Sequence, residues 1–296
     1  MIMFFPPRYP ADLTEEDSDK FTTTYGRFLD FIRRRFSRRD KLGLPLTIHI
    51  AFIIFFLFLF SAVLQDYIGH DPLIRADIRI VNLIYPLRSA ILSNVMLFFS
   101  DLATWQIVFM GVIVVGFFLF ALNLLPYLFA LIISVSGGEI IVAIIKNLVQ
   151  RTRPPSMSAL VLEKSFSFPS GHVLVAFSFY GLLTYILYKA NKKKMWKTIA
   201  ISMGIAIIGI IAFSRVYLGV HWPSDVLASL ALGAAWISMY ITILELQKRS
   251  VGTKETATLI GRRFIAIPSI LLLLCWFFYI GYFFTAHPLI PQSTLV

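Results

Sequence analysis

Residues 46–64 read LTIHIAFIIFFLFLFSAVL, without one charged side chain. A stretch of that length and polarity matches the roughly 20 apolar residues an α-helix needs to cross a bilayer. Outward from it, comparable runs lie at about 105–122, 127–148, 169–188, 198–218 and 223–246, with a seventh at 264–286. Lipid offers backbone amides no hydrogen-bond partners, so each run must satisfy its own groups as a helix. Composition agrees. Of the 296 residues 58% are hydrophobic and 15% charged, where a soluble domain carries about 25% charged residues. The expected fold is all-α: a polytopic transmembrane bundle with a six-helix core and an extra C-terminal span.

The polar stretches set the domain organisation. Residues 1–45 form a tail, acidic at Glu15, Glu16, Asp17 and Asp19 and basic from Arg27 to Lys41. The core spans 46–246, and within it Arg75, Asp77, Arg79 and Arg88 alternate with apolar residues across 65–101, as in amphipathic interfacial helices. A basic linker, 247–263, leads to the seventh run and a short tail, 264–296. The net charge is +11, but the basic residues flank apolar spans and form no separate domain, which points to membrane lipids and away from nucleic acid. Lysine and arginine crowd the tail, the loop at 189–197 and the linker, so these three are expected on the cytoplasmic side. Segments 65–104, 149–169 and 218–222 then face outward. Cys275 is the sole cysteine, which leaves neither an intramolecular disulfide nor a cysteine metal site. The first apolar run is too long for the core of a cleavable signal peptide, so none is expected. No Asn-x-Ser/Thr acceptor occurs, which suits a bacterial protein of the inner membrane.

Segment 149–169 breaks the charge rule, because it holds Arg151, Arg153 and Lys164 on the outward side. Three short patterns at this membrane face account for it: Lys146 with Arg153-Pro154, then Pro169-Ser170-Gly171-His172, then Ser214-Arg215 with His221 and Asp225. Lys146, Arg153 and Arg215 are cations converging on one small region. A charge at membrane depth costs about 2.5–3.5 kcal/mol on insertion scales and usually marks function. Arginine's planar fork matches phosphate oxygens, and lysine adds a point charge. Ser170 and Gly171 open a helix whose free amides and positive dipole end attract an anion, and glycine lets it come close. His221 and Asp225 are four residues apart at the start of the sixth span, so they share a helical face. The carboxylate can hold one ring nitrogen protonated while the other attacks phosphorus. His172 can protonate the leaving group and later activate water. This chemistry needs no metal and no other cofactor.

The three patterns resemble those of the type 2 phosphatidic acid phosphatase superfamily, in order and in spacing. The resemblance implies a six-helix core and a metal-independent phosphohistidine mechanism. It assigns phosphate binding to Lys146, Arg153, Ser170, Gly171 and Arg215, the acid role to His172, the nucleophile to His221 and its orientation to Asp225. It also implies a lipid phosphate or pyrophosphate substrate, such as phosphatidic acid, phosphatidylglycerol phosphate, undecaprenyl pyrophosphate or phosphorylated lipid A. The long tail and the seventh run depart from the common six-span form.

Two rivals stand beside hydrolysis: transfer of the phosphoryl group to a second lipid, and transport of an anionic lipid without chemistry. Oligomeric state is not legible in the sequence. Arg151 is open between a phosphate contact and a headgroup contact, and Ser214 between a phosphate oxygen and a backbone carbonyl. Asp101 and Trp105 are candidates to line the lipid entrance. His49, His70 and His287 read as interfacial, and Lys164 as a solvated loop residue.

Overall fold

The structure, a computed structural model, describes residues 26, 43–69, 72–155, 159–161, 163–250 and 276–281. Among the described residues every regular element is helical: α1 (Leu44–Ile68), α2 (Pro72–Ile84), a single 3₁₀ turn (Tyr85–Leu87), α3 (Ala90–Asp101), α4 (Trp105–Ala121), α5 (Leu125–Val149), α6 (Gly171–Ala190), α7 (Lys194–Tyr217) and α8 (Pro223–Ser250). A π turn, Phe177–Gly181, interrupts α6. Five of these helices are long and apolar enough to cross a membrane, and α3 with α4, bent by 48°, adds up to a sixth crossing. Of the seventh run only 276–281 is described; it is helical, and Trp276 packs against the main core, its indole N–H donating to the Ile107 carbonyl at 3.4 Å. The remainder of that run, the 247–263 linker beyond Ser250, Cys275, His70 and His287 lie outside the described residues. So does most of the N-terminal unit, Met1–Ala51, in which α1 begins.

Local sequence sets the helix ends near the site. Pro126 sits in the first turn of α5, where a missing N–H costs nothing. At its other end Gln150 adopts a left-handed conformation, φ 49°, and stops the helix. Helix α7 ends at a turn that needs Gly219, whose φ is 75°. Pro223 then opens α8, and the Asp225 carboxylate accepts from the Trp222 amide at 2.9 Å, capping the new helix.

The bundle has an inside and an edge. Over their most apolar windows α8 is 61% buried and α1 only 6%, so α8 is the central helix and α1 offers most of its Phe and Ile side chains to lipid. Glycines allow the close crossings that lipid-embedded helices use. A Cβ on Gly233 would fall 2.5 Å from the Phe177 ring, and one on Gly204 would fall 2.1 Å from the Thr184 hydroxyl. The segment expected as interfacial holds two different helices. Among the described side chains of α2 only Val81 and the polar Asp77 are buried, whereas α3 packs along α7 and buries Ser93 and Ser100. The second span is thus one arm of a bent pair whose other arm belongs to the packed bundle.

Candidate active site

The facing ends of α5, α6, α7 and α8, with the loops that join them, gather the eight residues of the three sequence patterns to which roles were assigned. Lys146, Arg153, Gly171, His172 and His221 line one cavity of about 290 Å³, together with Trp105, Glu139, Glu163 and Ser165. A second cavity, of about 250 Å³, contains Arg215, Ser100 and Asp101 and shares Trp105, Glu163 and His172 with the first. Asp225 is fully buried behind His221 and faces neither cavity. Ser170 is likewise fully buried, one residue from the lining Gly171.

His221 does not sit on α8 as its spacing suggested. It precedes Pro223, in the turn after α7, where its amide donates to the Arg215 carbonyl at 3.3 Å. The carboxylate four residues on still faces it: Nδ1 lies 3.5 Å from Asp225 Oδ2, an ion-pair distance longer than a good hydrogen bond. On the opposite ring edge Arg153 Nη1 approaches Nε2 at 3.3 Å. A guanidinium only donates, so Nε2 holds the lone pair and the ring proton is on Nδ1, toward Asp225. Burial, followed by the charges of Arg215, Arg153 and Lys146, holds the imidazole well below its ordinary pKa. The surroundings thus favour the neutral ring, with a lone pair on Nε2 facing the cavity.

The three cations are each tethered by the 150–169 segment. Lys146 Nζ donates to Ser165 Oγ at 2.9 Å. Arg153 donates from Nε to the Ser165 carbonyl at 2.7 Å and from Nη1 to the Val220 carbonyl at 2.5 Å. Arg215 donates from Nη1 to Ser100 Oγ at 2.5 Å, which ties α3 to the site. Sequence reasoning passed over Glu163: its carboxylate accepts from Arg215 Nη2 at 2.6 Å and lies 3.8 Å from Arg153 Nη2. An acidic oxygen thus rests between two arginine forks, where a phosphate oxygen would find the same donors. Ser170 Oγ and Arg215 Nε are buried and make no hydrogen bond among the described residues. At Gly171 a Cβ would meet only Val142, at an ordinary 3.4 Å, so packing within the protein does not demand glycine there.

Geometry also places the residues that the three patterns left open. Arg151 lines neither cavity, because it is buried with its guanidinium between Asp77 and Asp225, away from both a cavity-bound phosphate and the headgroup layer. Ser214 Oγ donates to the Ile211 carbonyl at 2.7 Å, the ordinary helical alternative. Lys164 is exposed. Asp101 and Trp105, at the bend between α3 and α4, both line the second cavity. Among the described residues no group of three or more His, Cys, Asp or Glu side chains gathers as a metal site.

Known proteins are similar to this chain in sequence and in fold. The model of the PAP2 superfamily matches residues 123–249. The chain is 30% identical to phosphatidylglycerophosphatase B of Bacillus subtilis over 182 residues, which is 60% of this chain and 87% of that protein. It is 40% identical to an undecaprenyl-diphosphatase of Sulfolobus acidocaldarius over 80 residues, 27% of this chain and 34% of the relative. A crystal structure of a transmembrane PAP2-type phosphatidylglycerolphosphate phosphatase from Bacillus subtilis superimposes with a TM-score of 0.58 at 28% identity, over 68% of this chain and 98% of that one. An all-helical membrane bundle, cations around a buried histidine and a match along nearly the whole of a bacterial lipid phosphatase lead to one conclusion: the chain belongs to the PAP2 superfamily of membrane lipid phosphatases.

Proposed function

We propose that this protein hydrolyses the phosphomonoester or pyrophosphate of a membrane lipid, without a metal, through a phosphohistidine on His221 at the extracytoplasmic face. The observation that carries the reading is the cavity in which Lys146, Arg153, Gly171, His172 and His221 meet, with Arg215 beside it. The headgroup phosphate enters from the bilayer past Trp105, displaces the Glu163 carboxylate and takes its place on Arg153 and Arg215. Lys146 and the first amides of α6 complete the cradle, and the closeness of that approach accounts for Gly171 where packing does not. Nε2 of His221 attacks phosphorus in line. The P–O bond to the lipid breaks, and His172 gives the leaving oxygen its proton. Asp225 and the buried cluster behind it balance the charge that develops on the phosphorylated ring. Water then loses a proton to His172 and attacks phosphorus, the P–N bond breaks, and inorganic phosphate leaves.

Phosphatidylglycerol phosphate is the substrate that the B. subtilis relative's name and coverage favour, with undecaprenyl pyrophosphate second. The test is release of radiolabelled phosphate by the purified protein in detergent, on these two lipids and phosphatidic acid, with EDTA throughout. Free phosphate from any of them is the expected result. Label moved onto an added acceptor lipid would make the protein a transferase. Binding without release would make it a carrier, and activity that EDTA abolishes and a divalent ion restores would end the metal-free mechanism.

A further inference from the structure

Behind His221, on the side away from the cavity, lies a buried charged cluster that no sequence pattern announced. Arg151 Nη1 donates to Asp225 Oδ1 at 2.6 Å and to Ser224 Oγ at 2.7 Å, and its Nη2 donates to Asp77 Oδ2 at 2.7 Å. The Ser224 amide donates to Asp77 Oδ1 at 2.8 Å, and Ser167 Oγ donates to Asp225 Oδ2. Relative exposure is 2% for Asp77, 4% for Arg151 and 0% for Asp225. Tyr67 of α1 and Trp222 cover the guanidinium, with ring centroids 4.5 and 5.7 Å from Cζ.

Stability alone gives a weak reason for such a cluster, since a buried ion triad can often be exchanged for apolar residues at no loss. Its charges have a specific sense beside His221. Arg151 alone would cancel Asp225, leaving the imidazole surrounded by Lys146 from α5, Arg153 of the adjoining loop and Arg215 from α7, all of which oppose positive charge on the ring. His172 from α6 adds a further positive charge whenever it carries the proton meant for the leaving oxygen, and Glu163 of the same loop is already engaged by Arg215 and Arg153. Asp77, reaching in from α2, restores a net single negative charge to the cluster. Attack by Nε2 turns the ring cationic, so that charge is wanted at the moment the P–N bond forms.

We propose that Asp77 and Arg151 are positioning residues of the phosphoryl transfer: Arg151 fixes the Asp225 carboxylate, and Asp77 returns the negative charge that Arg151 removes. The inference rests on the phosphohistidine reading and deepens it. The test compares the full-length wild type with Asp77→Asn, Asp77→Glu, Arg151→Met and the double variant Asp77→Asn/Arg151→Met, in detergent, each with a melting curve. Asp77→Asn keeps shape and loses charge. Its kcat should fall by about 10–100-fold with KM nearly unchanged. The acid limb of its kcat/KM profile should move to lower pH, because removing a nearby anion lowers the imidazole pKa. Asp77→Glu should recover most of the rate. The double variant regains the single negative charge on Asp225 and should turn over faster than Asp77→Asn, whereas a purely structural tie between α2 and α8 predicts that it is no better than the worse single change. Wild-type kcat in Asp77→Asn, or a loss with an unmoved acid limb and no recovery in the other variants, overturns the inference. Trapping the wild-type phosphoenzyme separates the two claims: if no phosphate is found on histidine the mechanism itself falls, and if it is found while Asp77→Asn behaves as wild type, only the roles of Asp77 and Arg151 fall.

Discussion

His221 divides its surroundings into two regions of opposite character. Toward the cavity stand Lys146, Arg153 and Arg215, cations whose hydrogen-bond partners include loop carbonyls, hydroxyls and the carboxylate of Glu163. Toward the interior stand Asp225 and Asp77 with Arg151 locked between them, sealed from solvent. In the proposed mechanism the first region exchanges partners, because its arginines hold Glu163 through contacts that a phosphate would reproduce. The second is closed: the charged groups of Arg151, Asp77 and Asp225 are all engaged with one another or with nearby serines. A histidine between them can be pressed to stay neutral by one side and helped to become cationic by the other, as a nucleophile that forms a phosphorylated intermediate requires.

The contrast can be broken outright at the hinge between the regions. His221→Ala should lower phosphate release by about 10⁴-fold or more while the melting curve stays close to wild type; substantial turnover in that variant would remove the ring from the chemistry. On the cavity side, Arg215→Lys keeps a charge but loses the fork that reaches Ser100 and Glu163 together, and kcat/KM should fall about 10²–10³-fold. His172→Ala sharpens the picture differently. It should cost about 10²–10⁴-fold on a lipid phosphate but much less on p-nitrophenyl phosphate, whose leaving group needs no proton; equal losses on both would deny His172 the acid role.

The pH profile reports the balance of the two regions. Burial and three cations hold the His221 ring well below its ordinary pKa, so it remains neutral as pH falls through the usual histidine range near about 6.5. The acid limb of kcat/KM is expected below that value, and a limb at or above it would contradict the geometry. The smallest expected effect belongs to Glu163→Gln. Removing a carboxylate that competes for Arg215 and Arg153 should lower KM for a lipid phosphate a few-fold, a change visible in initial rates at low substrate.

How much of this the sequence disclosed follows the same division. Uninterrupted apolar runs located five spans to within a few residues, because lipid leaves a 20-residue apolar stretch little alternative to a helix. Helix α3 escaped, since Ser93, Asn94 and Ser100 dilute its hydropathy and the break before Trp105 hides its pairing with α4. The cavity side was legible because its cations and histidines recur at fixed short spacings near helix ends. The interior side was not. Asp77 lies 74 residues from Arg151, and Arg151 lies 74 from Asp225, so no local pattern could join them. Arg151 read as one more outward cation for the same reason: only the fold turns it inward while Arg153 faces the cavity. Glu163 was passed over because a carboxylate among arginines read as phosphate ligands runs against the electrostatic reading until its contacts with both are seen.

The most direct test of the nucleophile is to catch the phosphate on it. Radiolabelled lipid phosphate mixed with enzyme and quenched in alkali within milliseconds should leave label on the peptide that contains His221, stable in base and lost in acid, and absent from His221→Ala. Label on a serine such as Ser170, or full turnover with no protein-bound phosphate at any time, would contradict the account.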